Sequence, residues 1–379
     1  VHGAVNARLL PFPSVTLNDV RAGSDANGEP LLQAASFSMD AELAPFLSGE
    51  ARIFDMRIEA PKARIRLLND GTLEWSRGSR SQIPTRALVL ENVKIVNGDI
   101  EFIDEQTGRN RHLTELNMQL SASDLFGPWR AEGSAKVDGV AGNFTLATGT
   151  PDLEKGRVSL RLKLIPQDYP IDFDLDGALT ARDGKPLYAG NFSMLLRRVD
   201  GEKAEEEHGI LSNPRTRGEF ELANDRLRIP NYRTEFGASD SPYVVTGEAT
   251  LDTGSKPEFL LTADGQQIDV GRIVSSRIQS GKTDRIQKHT VKERIEALAD
   301  VISRIPVPQV PGKATISLPA IVSDGTNIRD IRLEVRPNGK GWQIINGVAI
   351  LPGRTQLEAN GSLDFVDGPS FKGELLVAS

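Results

Sequence analysis

The chain of 379 residues contains no cysteine, and this absence excludes disulfide bonds, thiolate metal sites and a cysteine nucleophile. It leaves the redox compartment open, with a weak preference for an extracytoplasmic one. Long hydrophobic runs are absent too. No stretch of consecutive apolar residues exceeds four, as in Ala87 to Leu90, whereas a membrane-spanning helix needs about 20. The sequence therefore predicts no membrane span within these residues.

A strong basic excess is also lacking. The formal net charge is -7 with 26% charged residues, so we expect no nucleic-acid partner. A hydrophobic content of 39% is that of an ordinary folded protein and allows a sizeable buried surface. The chain begins at Val1 without methionine and in mid-pattern, which we interpret as the removal of an upstream signal or membrane anchor.

What the sequence does contain is alternation of apolar and polar residues. In the clearest segment the apolar positions are Val158, Leu160, Leu162 and Leu164. The residues between them are Ser159, Arg161 and Lys163. A second segment alternates Ile171, Phe173 and Leu175 with Asp172, Asp174 and Asp176. This period of two is typical of strands with one apolar face, so we predict a mainly β protein and place the aspartates on the solvated face.

Turn chemistry separates many of these segments. Asn-Gly or Asp-Gly pairs occur at Asp70-Gly71, Asn97-Gly98, Asp183-Gly184 and Asn338-Gly339. Such pairs tolerate positive φ and favour tight hairpins. We therefore expect short antiparallel hairpins to be the building unit.

Four stretches share a strand, a glycine-containing turn and a second strand. They begin at Gly133, Gly177, Gly247 and Gly361. Turn rules alone give unrelated hairpins some likeness, but the agreement in strand length on both sides of the turn favours a structural repeat.

Two segments break the β pattern. Residues 197–218 are polar and include three consecutive glutamates, which predicts an exposed loop. Near residues 284–305, an apolar stripe predicts one amphipathic helix; its members are Val291, Ile295, Leu298, Ile302 and Ile305. The stripe fits packing across a sheet edge better than contact with anionic lipid, because acidic residues dilute its positive face.

Sequence motifs for chemistry are lacking. The four histidines are far apart, and none has the spacing of a zinc site. No Gly-x-Ser-x-Gly motif occurs. The spacing of Asp172, Asp174 and Asp176 lacks the glycine and distal glutamate of an EF-hand calcium loop. We predict a protein that is not an enzyme, with no catalytic residue, no metal site and no cofactor.

The order of several short motifs resembles the AsmA family of bacterial envelope proteins. In chain order the matching stretches are 10–20 (LPFPSVTLNDV), 43–49 (LAPFLSG), 58–61 (IEAP), 70–75 (DGTLEW), 90–98 (LENVKIVNG), 102–108 (FIDEQTG), 268–273 (IDVGRI), 341–342 (GW) and 351–355 (LPGRT). Each motif is short, and their shared order over most of the chain carries the resemblance. Glu74 stands where the family usually has asparagine.

The resemblance implies an elongated antiparallel repeating β-groove, a curved, taco-like sheet of stacked hairpins. It implies a periplasmic protein of a Gram-negative bacterium, held to the inner membrane by an N-terminal anchor that these residues do not contain. Its partners would be phospholipid or another acyl lipid and other envelope proteins. Four regions are predicted: an AsmA-type N-terminal β region (residues 1–120), a middle β-repeat region (121–283), the amphipathic helix (284–306) and a C-terminal β-repeat region (307–379).

The function we expect is holding or conducting phospholipid between the inner and outer membranes along an apolar groove, in support of outer-membrane assembly or lipid homeostasis. Candidate lining residues are Val158, Leu160, Leu162, Leu164, Ile171, Phe173 and Leu175. Two alternatives stay open at this point. The same alternation fits a structural or interaction protein whose apolar face is closed by a second sheet. An envelope enzyme acting on glycans would need carboxylates that cluster only in three dimensions.

Overall fold

The computed structural model describes most of the chain. The described residues are 1–10, 12–24, 28–42, 44, 51–70, 74, 88–124, 127–152, 154–182, 185–197, 214–237, 242–254, 256–269, 307–323, 326–364 and 370–378. They form 22 β-strands and a short 3-10 turn at Pro352–Arg354. The prediction of a mainly β protein is confirmed.

The strands are numbered in the order in which they follow one another along the chain. The first eleven are β1 (Val5–Arg8), β2 (Ser14–Ala22), β3 (Leu32–Ala41), β4 (Ala51–Glu59), β5 (Lys62–Leu67), β6 (Leu88–Asp104), β7 (Arg109–Ala122), β8 (Trp129–Val137), β9 (Val140–Thr148), β10 (Arg157–Pro166) and β11 (Ile171–Arg182). The others are β12 (Lys185–Leu196), β13 (Arg215–Leu222), β14 (Arg226–Phe236), β15 (Tyr243–Asp252), β16 (Glu258–Gly265), β17 (Ile268–Asp269), β18 (Gly312–Ser323), β19 (Thr326–Pro337), β20 (Gly341–Ile350), β21 (Gln356–Asp364) and β22 (Ser370–Ala378).

The chain divides into two compact units. The first contains residues 1–192 and 222–225, and the second contains residues 193–221 and 226–379. Strands β1–β11 therefore belong to the first unit and β14–β22 to the second. The predicted boundary between residues 120 and 121 falls inside β7, so it does not mark a break in secondary structure.

Most neighbouring strands pair in antiparallel fashion, but each unit contains a parallel step. In the first unit β4 and β5 both pair in parallel with β6. In the second unit β16 and β17 both pair in parallel with β18. The sheet is thus mixed, and the prediction of a purely antiparallel sheet is wrong at these two places. Parallel neighbours need a crossover connection, and residues 68–87 and 270–311 provide the length for it.

The four sequence repeats are hairpins in the structure. They correspond to β8–β9, β11–β12, β15–β16 and β21–β22. At the first glycine of each repeat, an added Cβ would come within 2.0–2.6 Å of a backbone atom of the adjacent strand. Real side chains do not tolerate such contacts, so the repeated glycine marks a close approach of two backbones. This gives the sequence repeat a physical cause.

One predicted turn is not a turn. Asn97-Gly98 lies in the interior of β6, where the register with β7 shifts between Ile95 and Gly98. Asn97 has φ of 53°, and its N–H donates to Oδ1 of Asn117 at 3.0 Å. The pair therefore forms a bulge within one long strand, because positive φ serves a bulge as well as a hairpin. By contrast, Asn338-Gly339 does connect β19 to β20 as predicted.

The two predicted exceptions to the β pattern fall largely outside the described residues. Within the predicted loop 197–218, residues 198–213 lie outside them. The last part of that prediction is wrong, because β13 begins at Arg215 and Thr216 is buried, with its hydroxyl 3.0 Å from that of Thr234. The predicted helix at 284–305 lies entirely outside the described residues and stays a prediction.

Buried side chains form small clusters on the sheet. In the first unit the cluster contains Ile53, Leu90, Val93 and Ala122. In the second unit a cluster contains Ala314, Val335 and Trp342. Partly buried apolar residues surround both clusters. Each cluster covers only a few strands, so most apolar side chains of the sheet are only half-buried.

Candidate functional site

Two rows of apolar residues cross ten strands of the first unit. Each residue of a row is the direct cross-strand partner of the next. The first apolar row is Val5, Leu17, Phe37, Ile58, Ile95, Met118, Gly133, Phe144, Leu164 and Phe173. The second apolar row is Ala7, Val15, Met39, Met56, Val93, Leu120, Ala131, Leu146, Leu162 and Leu175. Nine strand spacings of about 4.8 Å give each row a length of about 43 Å along the strand pairing.

A polar row on the opposite face accompanies them. Its members, again direct partners in order, are Asn6, Thr16, Ser38, Arg57, Lys94, Gln119, Glu132, Thr145, Lys163 and Asp174. Since side chains alternate between the faces of a strand, the apolar rows and the polar row point in opposite directions. One face of these ten strands is therefore continuously apolar, and the other is polar.

The apolar face is only partly covered. In the part of the chain that the structure describes, Val93 and Ala131 are the only fully buried residues of the two rows. Val5 and Ala7 at one end are exposed, and the others are half-buried. The interior of a closed sandwich would bury such residues almost completely. The described residues thus leave large apolar side chains with free surface.

Two bulges lie side by side just beyond the second apolar row. On β4 the register with β3 shifts between Ile53 and Asp55, and on β6 the register with β7 shifts between Leu90 and Val93. A single bulge moves later side chains to the other face, but the two bulges lie side by side, so that Ile53 still pairs with Leu90. Nδ2 of Asn92 donates to Oδ1 of Asp55 at 2.5 Å and joins the two bulged segments.

The predicted lining residues lie on this face. Leu164 and Phe173 belong to the first apolar row, and Leu162 and Leu175 to the second. Leu160 pairs with Gly177 and Val158 with Leu179, which extends the same face along β10. Ile171 is half-buried at the start of β11, beyond the last paired position. The predicted alternation in β10 is confirmed, since its even-numbered residues from Val158 to Leu164 are half-buried and the odd-numbered ones are exposed.

The eight other strands of the rows were not predicted as part of the site. Alternation was visible at Phe54, Met56 and Ile58, but the bulge on β4 puts Phe54 out of phase with the row residues Met56 and Ile58. The row can be found only once cross-strand register is known. Gly133 is a second row member that apolar alternation does not reveal, because glycine has no side chain. It leaves a gap in the first row between Met118 and Phe144. A surface concavity of about 580 Å³ includes these three residues in its lining.

Charges on the polar face are paired across strands. The guanidinium of Arg161 donates to Oδ2 of Asp176 at 2.5 Å, and this hydrogen bond raises the pKa of Arg161. Asp174 and Asp176 are exposed, as predicted, whereas Asp172 is half-buried. At the β8–β9 turn, the backbone N–H of His112 donates to Asp138 at 3.0 Å, and this contact, with Arg111 nearby, lowers the pKa of Asp138. These pairs solubilise and orient the strands.

Titratable groups with shifted pKa values have structural explanations. Burial raises the pKa of Tyr188 to about 12, and its hydroxyl donates to the carbonyl oxygens of Leu160 and Leu175 at 3.1 and 3.2 Å. Burial likewise raises the pKa values of Tyr232 and Tyr243 to about 12. Among the described residues, no group of three or more His, Asp or Glu side chains is arranged to hold a metal ion.

Within the described ranges, no helix combines the length and the hydropathy needed to cross a bilayer. We compared the chain with protein-family models, with curated proteins and with solved structures. None of the three comparisons returned a match.

Proposed function

We propose that this protein holds or conducts the acyl chains of phospholipid along the apolar face of its first unit. The observation that carries the proposal is the pair of unbroken apolar rows across ten strands, most of whose residues are half-buried. A surface of this kind serves a ligand that is long, apolar and chemically uniform. It needs no reacting group, so the proposed function is not catalytic.

The energetics of an acyl chain fit such a face. Each CH₂ group removed from water contributes about 0.8 kcal/mol, so a chain that slides along continuous apolar residues loses little at any step. An interruption by a charged residue would raise a barrier of several kcal/mol, because the charge would have to lose water. The absence of charged residues from both rows therefore favours movement along the rows, across the strands.

The resemblance to the AsmA family adds a setting to this proposal. In that setting the protein lies in the periplasm, attached to the inner membrane by a segment outside these residues. It supplies phospholipid toward the outer membrane or maintains lipid balance, together with other envelope proteins. The family assignment is part of the proposal, and it rests on the order of motifs given above.

The alternative of a closed structural core has a clear physical requirement. A second layer would have to cover Phe144, Leu162, Phe173 and their neighbours, and these side chains would then be buried. The described residues leave them half-buried, which supports an open face.

The test compares two adjacent residues of β10 that point in opposite directions. A photocrosslinking amino acid is placed at Leu162, in the second apolar row, or at Lys163, in the polar row. We expect lipid adducts at Leu162 and few at Lys163, with phospholipid identified by mass spectrometry of the protein purified from membranes. Absence of lipid at both positions would sink the proposal. Equal crosslinking at both would show nonspecific contact with membrane and would count against it equally.

A further inference from the structure

Three of the four methionines of the chain lie in the apolar rows. Met39 and Met56 are direct partners in the second row, on β3 and β4, and Met118 lies in the first row on β7. The part of the rows on β8–β11 contains no methionine; its side chains are mainly leucine and phenylalanine. The apolar face therefore has a thioether section at β3–β7. We call Met39, Met56 and Met118 the methionine section.

The three methionines keep part of their surface exposed while their surroundings are apolar. All three residues are half-buried. Met39 and Met56 pack against the buried cluster that contains Ile53 and Val93. Apart from each other, the cross-strand partners of the three methionines are Val15, Val93, Ile95 and Gly133. None of these described neighbours carries a side-chain hydrogen-bond donor.

We propose that the methionine section is an oxidation-sensitive part of the binding face, at which conversion to methionine sulfoxide releases acyl chains. This inference rests on the proposed function, because it concerns the same surface. The oxidant class is a peroxide. The thioether sulfur attacks one oxygen of hydrogen peroxide, the O–O bond breaks, a new S–O bond forms and water leaves; the sulfur loses two electrons and the peroxide gains them.

The chemical consequence follows from the neighbours. A sulfoxide oxygen is a strong acceptor, and none of the direct cross-strand partners of the three methionines has a side-chain donor for it. It must therefore keep a water molecule, which an acyl chain in contact with the row would displace. Met39 and Met56 lie opposite each other, so two such groups would hydrate the same point of the second row. Methionine sulfoxide reductases reverse the reaction, which makes the change a reversible one.

The test uses a matched variant, Met39→Leu/Met56→Leu/Met118→Leu, since leucine and methionine have similar volumes and such exchanges cost little stability. Wild-type protein and variant are treated with hydrogen peroxide, and sulfoxide is located by peptide mass spectrometry. Affinity for a fluorescent fatty acid is then measured, and the fluorescence of an apolar-surface dye reports the exposed face independently. We expect about a tenfold loss of fatty-acid affinity on oxidation of the wild type, recovery after reductase treatment, and no loss in the triple variant. The single variant Met194→Leu serves as the control and should stay sensitive.

The outcomes separate the two proposals. If untreated protein binds no fatty acid, the proposed function fails, and dye fluorescence alone decides whether oxidation changes the face. If wild-type protein carries sulfoxide at all three positions and yet binds fatty acid and dye unchanged, the methionine inference is overturned. An equal loss in the triple variant would overturn it as well, because the effect would then arise elsewhere in the chain.

Discussion

Phe144 lies directly across from Gly133 in the first apolar row. An added Cβ at Gly133 would come within 2.2 Å of the carbonyl oxygen of Asn117 and 2.7 Å of Cβ of Met118. The missing side chain is thus what allows β7 and β8 to approach and leaves the face open beside the phenylalanine ring.

We expect Gly133→Ala to destabilise the first unit by about 3 kcal/mol, because a collision with backbone cannot be relieved by a rotamer change. The change in the free energy of unfolding is measured by urea denaturation monitored by circular dichroism. Gly139→Ala is the control: no atom lies within 4 Å of its added Cβ, and only its φ of 89° opposes the change. That variant should lose about 1 kcal/mol. Equal losses would show that crowding at Gly133 is not what matters.

A charge placed in the second apolar row should block it. Leu162→Arg puts a guanidinium between Leu146 and Leu175, where bound acyl chains would have to desolvate it. We expect affinity for a fluorescent fatty acid to fall about tenfold or more. Thr145→Arg adds the same group to the polar row of the adjacent strand and should leave affinity within about twofold of wild type. A similar loss in both variants would place binding on another surface.

Ionisation of Tyr232 is expected to reduce the stability of the folded protein at alkaline pH. Its hydroxyl donates to the carbonyl oxygen of Thr262 at 2.8 Å, and burial raises its pKa to about 12. The unfolded tyrosine ionises near pH 10. The folded state therefore holds its proton more tightly, and the stabilisation present below about pH 10 is lost as pH rises toward about 12.

The variant Tyr232→Phe separates this effect from others. At pH 8 it should be less stable than wild type by about 1 kcal/mol, the usual value of one hydrogen bond. Between pH 8 and pH 11 its urea midpoint should fall less than that of wild type. A fall of the same size would mean that Tyr232 ionises equally in both states.

We predict that the protein self-associates through its last strand, β22. All nine residues of β22 are exposed, including Leu376 at 61%, and among the described strands β22 pairs only with β21. Exposed apolar edges favour strand addition. We expect Leu376→Lys to weaken the self-association that appears as the protein concentration rises, as measured by light scattering. Leu260→Lys changes a residue exposed at 53% on β16, which is paired on both sides, and should have a smaller effect. Equal self-association of the two variants would argue against β22 as the site of association.

The sequence predicted the faces of individual strands better than their arrangement. Alternation in β10 and the hairpin repeats depend on local periodicity and turn residues, and both were confirmed. The parallel pairing of β6 with β4 and β5 was missed because nothing local distinguishes a parallel from an antiparallel partner.

Bulges account for the other failures. Asn97-Gly98 has the residues of a hairpin turn, yet β6 continues through it for seven more residues, from Gly98 to Asp104. Whether positive φ makes a turn or a bulge depends on which strand lies alongside, here β7 with Asn117. Likewise, Ile53 and Leu90 stay paired beyond the second apolar row only because two bulges on adjacent strands compensate each other, and a single sequence does not reveal that.

The apolar rows run across the strands, and this orientation determines how their length can change during evolution. Lengthening a strand would widen the surface but would not extend either row. Duplicating one hairpin adds two strands, and so about 10 Å, to both rows at once. Each duplicated hairpin brings its own glycine at the point of close backbone approach, as the hairpins with Gly133 and Gly177 do. The length of the apolar rows is therefore measured in hairpins, and gene duplication alone can lengthen them.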